Sequence, residues 1–485
     1  MQSTLLANPH SDAANPSASS VILAETRRKV LDFFNADPEH FDVVFTANAT
    51  AAVKLVMDCF AGYDQGFDYY YHRNCHTSLV GVRELARRSH CLASNAETEA
   101  WLNGELQPIG STDLSRPTLF AYPAQSNMSG ERLPQAWPHQ LRVSGGNPNT
   151  YTLLDAAAHV TTAPLDLSDH AAAPDFVALS FYKIFGFPDL GALLVRKVSS
   201  HVLERRKYFG GGTTEMITCF EEKPWVARKE ASLHARLEDG TLAIRSVLAL
   251  RCAIEVHRQL FGSMTEVSRH TTWLAKRLYD RLTQLRHSTG VPVCHIYKAT
   301  TSAYGDPSSQ GATIALNIMK SDGSWMGPSA VGAMLRASDI HVRTGSVCNP
   351  AGMACILGLS PVDIRRAFDE GFRCNQPEDI REGGVLFGVV RVTIGAMSTL
   401  KDVERFASFV EEYLIDRLPS TNGPVVTEAH DWSTQDEKSS RLGAKETKAT
   451  SRGTSHGHLK RTRKTFAVLT SWRRRKTVSA GEIFS

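Results

Sequence analysis

Lys183 ends the run Ser180-Phe181-Tyr182-Lys183, between the apolar segment 176–180 and the turn Gly186-Phe187-Pro188. A lysine that leaves an apolar strand for a loop is desolvated, which disfavours its charged form and frees the amine to form a Schiff base with a carbonyl. A surface lysine with no chemistry is the other reading of this residue taken alone. Asp155 follows the apolar run Tyr151-Thr152-Leu153-Leu154 and stands at the carboxyl end of a strand, the edge at which open α/β sheets bind ligands. It would equally serve as a helix cap. Asn48-Ala49-Thr50 lies between a β-branched run and a helical pattern, where free amides and the helix dipole attract a phosphate, or where Asn and Thr simply cap the helix. An amine, a carboxylate and a phosphate turn are the anchors that pyridoxal phosphate requires for its aldehyde, its pyridinium nitrogen and its phosphate.

The nine cysteines, an odd number without a CxxC pair, predict reduced thiols rather than a disulfide frame or a zinc site. Cys348 stands out by its setting. It follows Arg343 by five positions in the motif RTGSVCN, among small and polar residues. A guanidinium beside a partly exposed thiol favours the thiolate, whereas an ordinary cysteine is a small buried hydrophobe. His72 and His76 alone are too few for a metal site, and no metal is expected.

These side chains need strands and helices to bring them together. The run 41–46 is β-branched and aromatic and passes into a helical pattern with Val53, Val56, Met57 and Phe60 on one side. Short apolar runs at 119–122, 151–154, 176–180 and 191–195 predict a parallel sheet covered on both faces. Beyond Gly240, segments 242–260 and 265–285 read as two long helices separated at Gly262. Strands are expected at 312–318, 341–343 and 389–394, with helices at 329–338 and 400–414. The predicted fold is α/β: a large, mostly parallel-sheet domain over 1–258, a smaller α+β domain over 259–416, and a basic disordered tail over 417–485.

With 42% hydrophobic and 21% charged residues, wholesale disorder is excluded. No apolar run approaches the ~18 residues of a membrane span, and the most tempting stretch, 386–397, is interrupted by Arg391. The first residues lack a basic flank before an apolar core, which argues against a secretory signal and for a cytoplasmic protein. The net charge of +4 belongs to the tail, where 13 Lys or Arg stand against 6 Asp or Glu from Ser420 onward. Clusters such as KRTRK and RRRK suit nuclear import or nucleic acid. The segment has little to bury, however, and is read as solvated, with nucleic acid not expected as a partner.

The series FTANATAA, HRNCHTS, AYPAQSNMSG, LLDAAAHV, LSFYKIFGFPDLGALLVRK, RLEDGT, VRTGSVCN and VRVTIG resembles the class V branch of the pyridoxal phosphate-dependent, fold type I transferases. Within that branch it is most similar to the cysteine-desulfurase-like amino-terminal part of molybdenum cofactor sulfurases. The resemblance implies that Lys183 carries the cofactor as a Schiff base and Asp155 keeps its ring nitrogen protonated. His76 stacks on the ring, Asn127 contacts cofactor or substrate carboxylate, and Ala49, Thr50 and Ser180 hold the phosphate. Thr241 completes that phosphate cup across a homodimer interface. Arg391 and Arg343 grip the substrate carboxylate, Arg343 being also readable as an exposed salt-bridge residue. Cys348 takes the sulfur of L-cysteine as a persulfide, releasing alanine, and passes it to an acceptor such as molybdenum cofactor. Cys355, in the apolar stretch 354–359, suits that role less.

Three departures from the family pattern are expected to matter. A YLDHAG-like segment normally precedes the point where this chain starts at ANPHS. Full-length sulfurases continue into a cofactor-binding domain where this chain has its basic tail. Ala158 also stands where desulfurases often have Gln. Other readings are a class V lyase, epimerase or aminotransferase acting on another amino acid, a non-catalytic relative, and an acyl-serine enzyme through Ser180-x-x-Lys183. The last lacks a KTG element and has Ser321-Asp322-Gly323 in place of SDN.

Overall fold

The computed structural model describes residues 18–106, 115–144, 148–220, 223–373, 379–380 and 384–416. The tail expected over 417–485 lies outside the described residues. The described residues form one compact unit.

Its main sheet has seven strands: β1 (Phe41–Thr46), β2 (Asp68–His72), β3 (Arg88–Leu92), β4 (Thr118–Pro123), β5 (Thr150–Asp155), β6 (Phe176–Ser180) and β7 (Gly191–Arg196), in the order β1-β7-β6-β5-β4-β2-β3. From β3 to β6 all neighbours are parallel. The expected parallel arrangement needs one correction, because β7 runs antiparallel to both β6 and β1. A parallel return takes a crossover of about a dozen residues or more, and the connection from Ser180 to Gly191 is shorter than that. The chain therefore doubles back on itself through the Gly186 turn.

Alternation along each strand decides that both faces are covered. On β6, Val177 and Leu179 join one apolar cluster while Phe176 and Ala178 join another, and β7 divides in the same way into Ala192 and Leu194 against Leu193 and Val195. Such two-sided burial is why these runs are continuously hydrophobic. It fixes the sheet edge, and every residue that leaves a strand's carboxyl end there is held by a buried strand behind it.

A two-stranded hairpin, β8 (Thr214–Ile217) and β9 (Val226–Arg228), follows. After a short helix, Leu233–Leu237, come the helices Ile244–Phe261 and Met264–Gln284, meeting at Gly262, whose φ of 72° ends the first of these two. The second sheet contains β10 (Cys294–Tyr297), β11 (Thr313–Ile318), β12 (Arg343–Gly345) and β13 (Val389–Thr393), in the order β10-β11-β13-β12, all antiparallel. The strand expected at 341–343 begins instead at Arg343, so His341 precedes it. Helices Met264–Gln284, Pro328–Ala337 and Leu400–Leu414 cover one face of this sheet through Leu274, Leu335 and Phe406. Val390 points into that core, while its neighbour Val389 joins Met128 and Val347 on the opposite face. Arg391, two residues on from Val389, is thereby turned toward the large sheet.

Candidate active site

Four strands of the large sheet deliver the expected residues to one edge. β1 leads into Asn48, β4 into the loop containing Asn127, β5 ends at Asp155, and β6 ends at Ser180 with Lys183 in the following helical turn, Phe181–Phe185. The loop after β2 supplies His76. A cavity of about 1080 Å³ there is lined by Ala49, Thr50, His76, Asn127, Asp155, Ser180, Lys183, Arg343, Cys348 and Arg391. Thr241 alone of the expected residues is not among its lining and is exposed in its own chain.

At the expected phosphate end, backbone and hydroxyl groups are fixed in place. Asn48 caps the helix Ala49–Phe60, its side chain accepting from the Ala51 N–H at 3.0 Å. The Ala49 N–H donates to Ser180 Oγ at 2.9 Å, which joins the helix start to the end of β6. A Cβ at Gly191 would meet Asn48 Cα at 2.5 Å, so only glycine lets β7 pass this turn.

At the expected ring end, buried Asp155 accepts from the Ala157 N–H through Oδ1 at 2.9 Å. His76 caps the short helix Thr77–Val80, and its Nδ1 accepts from the Ser78 N–H at 3.1 Å. That bond leaves Nε2 as the protonated nitrogen of the neutral ring. Burial holds the His76 pKa below the usual histidine value, Lys183 and Arg343 pushing the same way and Asp155 opposing them. The balance favours the neutral ring.

Arg391 and Arg343 occupy directly opposed positions on β13 and β12. Arg391 Nη1 donates to the Asn127 carbonyl at 2.8 Å, while its Nε is buried without a partner. Burial lowers the Arg391 pKa, the adjacent Arg343 adds to this and Cys348 opposes it. Among the described residues no carboxylate pairs with either guanidinium, so an anionic ligand would complete the pair.

Cys348 lies 4.0 Å from Arg343 Nη2. Both Val347 and Cys348 have left-handed backbones, with φ of 46° and 57°. For non-glycine residues this conformation costs roughly 1–2 kcal/mol each, and a β-branched valine there is a genuine outlier. Three bonds hold the turn: Thr77 N–H to the Cys348 carbonyl at 2.9 Å, Asn127 Nδ2 to the Val347 carbonyl at 2.7 Å, and Asn349 Nδ2 to Asn127 Oδ1 at 3.1 Å. Asn349 escaped the sequence reading, although Asn before Pro350 is a helix-start signal. Cys355 is exposed and accepts from Arg73 Nη1 at 3.3 Å; the expected apolar setting does not describe it, because its helix turns it outward.

The RLEDGT motif is explained by anchoring. Buried Glu238 binds Arg27 at 2.5 and 2.7 Å and accepts the Phe45 N–H at 2.7 Å. Asp239 accepts from the Gly210 N–H at 2.9 Å and pairs with Arg206 at 2.5 Å.

Comparison with protein families decides the assignment, since the model for aminotransferase class V matches residues 2–406. The chain belongs to the aminotransferase class V family. Among curated proteins, this class V chain is 49% identical to a molybdenum cofactor sulfurase of Aspergillus niger over 87% of its own length and 50% of the relative's. To that of Botryotinia fuckeliana it is 50% identical, over 86% of this chain and 51% of the relative. It therefore spans about half the length of the curated relatives it matches. Among solved structures it is similar in fold to an apo cysteine desulfurase from Thermococcus onnurineus NA1, with a TM-score of 0.62 at 20% identity, covering 84% of this chain and 88% of that one.

The class V cavity fits pyridoxal phosphate. It offers an amine at Lys183, a buried carboxylate at Asp155, and the start of a helix at Thr50 beside the Ser180 hydroxyl. The described cysteines are all free. Among the described residues no helix is long and apolar enough to cross a membrane, and no group of three or more His, Cys, Asp or Glu is placed to hold a metal ion.

Proposed function

We propose that this chain is a pyridoxal phosphate-dependent cysteine desulfurase of the molybdenum cofactor sulfurase type. It would take sulfur from L-cysteine, release L-alanine and hold the sulfur as a persulfide for an acceptor such as molybdenum cofactor. The observation that carries this reading is the convergence of Lys183, Asp155, Arg391 and Cys348 on one cavity. Half-length similarity to sulfurases supports it, and a cytoplasmic location agrees with the free thiols.

In this reading Ala49, Thr50 and Ser180 hold the cofactor phosphate, Asp155 its ring nitrogen, His76 its face and Lys183 its aldehyde. When bound, the cofactor supplies an electron sink for the amino acid's Cα. Arg391, braced by the main-chain carbonyl of Asn127 and joined by Arg343, orients the substrate carboxylate. Lys183 takes the Cα proton and returns it, acting as general base and then acid. Cys348 thiolate attacks the substrate sulfur: an S–S bond forms, the Cβ–S bond breaks, and its electron pair goes to Cβ, which is protonated. L-Cysteine and the enzyme thiol thus become L-alanine and the enzyme persulfide, with carbon reduced and sulfur oxidised.

A homodimer belongs to the same proposal. The hairpin β8–β9 and the chain around it expose Tyr208, Met216, Ile217, Phe220 and Trp225. The Gly240 N–H donates to the Gly211 carbonyl at 2.7 Å, which fastens the loop of Thr241 beside this apolar surface. A second copy seated there would receive Thr241 at its phosphate site. Incubation with pyridoxal phosphate and L-cysteine tests the function: alanine should form and the Cys348 peptide should gain one sulfur atom. A protein that binds the cofactor yet yields neither product is no desulfurase.

A further inference from the structure

Asn349 is completely buried, immediately after the thiol that the proposed function uses. Its Oδ1 accepts from the Gly352 N–H at 3.0 Å and caps the helix Pro350–Leu357. A cap needs only that oxygen. The amide nitrogen points elsewhere, donating to Asn127 Oδ1 at 3.1 Å and to the Asn74 carbonyl at 3.2 Å. Asn74 is itself held by Nδ2 on buried Glu131 Oε2 at 2.9 Å.

Asn127 completes a bracket. Its Nδ2 donates to the carbonyl of Val347, the residue before Cys348, and its Oδ1 accepts from the side chain of Asn349, the residue after it. One primary amide thus grips both flanks of the thiol-bearing residue while Thr77 holds that residue's own carbonyl. The left-handed pair Val347 and Cys348 sits inside this bracket. A backbone in this conformation relaxes unless its surroundings fix it.

We propose that Asn349 is a positioning residue for Cys348, locking its turn through Asn127 so that the thiolate meets the substrate sulfur. This inference rests on the desulfurase reading and adds a residue to it. Asn349 touches neither cofactor nor substrate. Its role is to fix the angle of attack, and a misplacement of about 1 Å costs on the order of 100-fold in such a step.

Asn349→Ser separates the two uses of the side chain, because serine caps a helix but cannot reach Asn127. L-Cysteine desulfuration should fall about 100-fold in kcat with KM changed less than about threefold. Turnover of β-chloroalanine, which loses chloride after Cα deprotonation and needs no thiol, should stay within about twofold of the parent. Iodoacetamide labelling of Cys348, followed by peptide mass without any substrate, should change rate by about fivefold or more as the turn is released. Asn349→Asp, which also keeps the cap, serves as a second variant and should show the same split. Parent-like desulfuration and labelling in both variants overturn the positioning role, as does an equal loss of β-chloroalanine turnover, which marks general damage. If the parent itself makes no alanine from cysteine, it is the desulfurase reading that fails.

Discussion

Arg343 and Arg391 face each other across strands β12 and β13 as directly paired residues, two like charges without a carboxylate between them among the described residues. Such cross-strand repulsion destabilises a sheet, and a bound anion would offset it. Arg391 is the deeper of the two, with a buried unpartnered Nε. Replacing it by alanine should lower kcat/KM for L-cysteine by roughly 100-fold or more, the usual cost of removing one member of a desolvated charge pair. Arg343→Ala, at an exposed position, should cost about tenfold or less. Steady-state kinetics of both variants check the order.

Cys348→Ala should abolish persulfide and alanine formation while cofactor binding persists. Cys355→Ser should leave alanine formation within about twofold, because Cys355 lies outside the cavity lining. Unimpaired turnover in Cys348→Ala would move the assignment to another class V reaction, one that needs no thiol.

Stability should fall in mild acid. Burial pulls the pKa of His72 down to about 3, with Arg73 adding to the effect. Burial does the same to His159, also to about 3, aided by Arg132 and opposed by the Pro164 carbonyl. Below pH ~6.5 the unfolded chain protonates both rings and the folded chain does not. The unfolded state then binds more protons, so each histidine withdraws roughly 1.4 kcal/mol per pH unit until the folded pKa is approached. Chemical denaturation between pH 7 and 5 measures it, and His159→Asn should flatten the slope.

The buried pair Arg27–Glu238 ties the first described helix to the loop ahead of Thr241. Glu238→Ala strands a buried guanidinium and should destabilise the fold by ~3–5 kcal/mol. Urea unfolding of the variant decides; a loss below 1 kcal/mol contradicts the anchoring role.

Much of the site was legible because it hangs on buried parallel strands. Runs such as 176–180 are apolar on both faces, so their ends, and Asp155, Ser180 and Lys183 beyond them, could be placed from the sequence. β2 and β3 were not legible. Asp68-Tyr-Tyr-Tyr-His72 and Arg88-Ser-His-Cys-Leu92 mix polar with apolar residues toward the sheet edge, where periodicity weakens. The reversal of β7 follows from connection length, which apolarity alone does not report. Asn349 was missed for another reason: its partners, the Asn74 main-chain carbonyl and the Asn127 side chain, are remote in the chain, and only folding brings them to it.

All of the proposed chemistry depends on Lys183 holding the aldehyde of pyridoxal phosphate in the cavity over Asp155. Borohydride reduction of the protein loaded with the cofactor, followed by peptide mass analysis, tests it directly. A phosphopyridoxyl group should be fixed on the peptide containing Lys183 and be absent from Lys183→Ala. A reduced holo-protein with the group on another lysine, or on none, contradicts it.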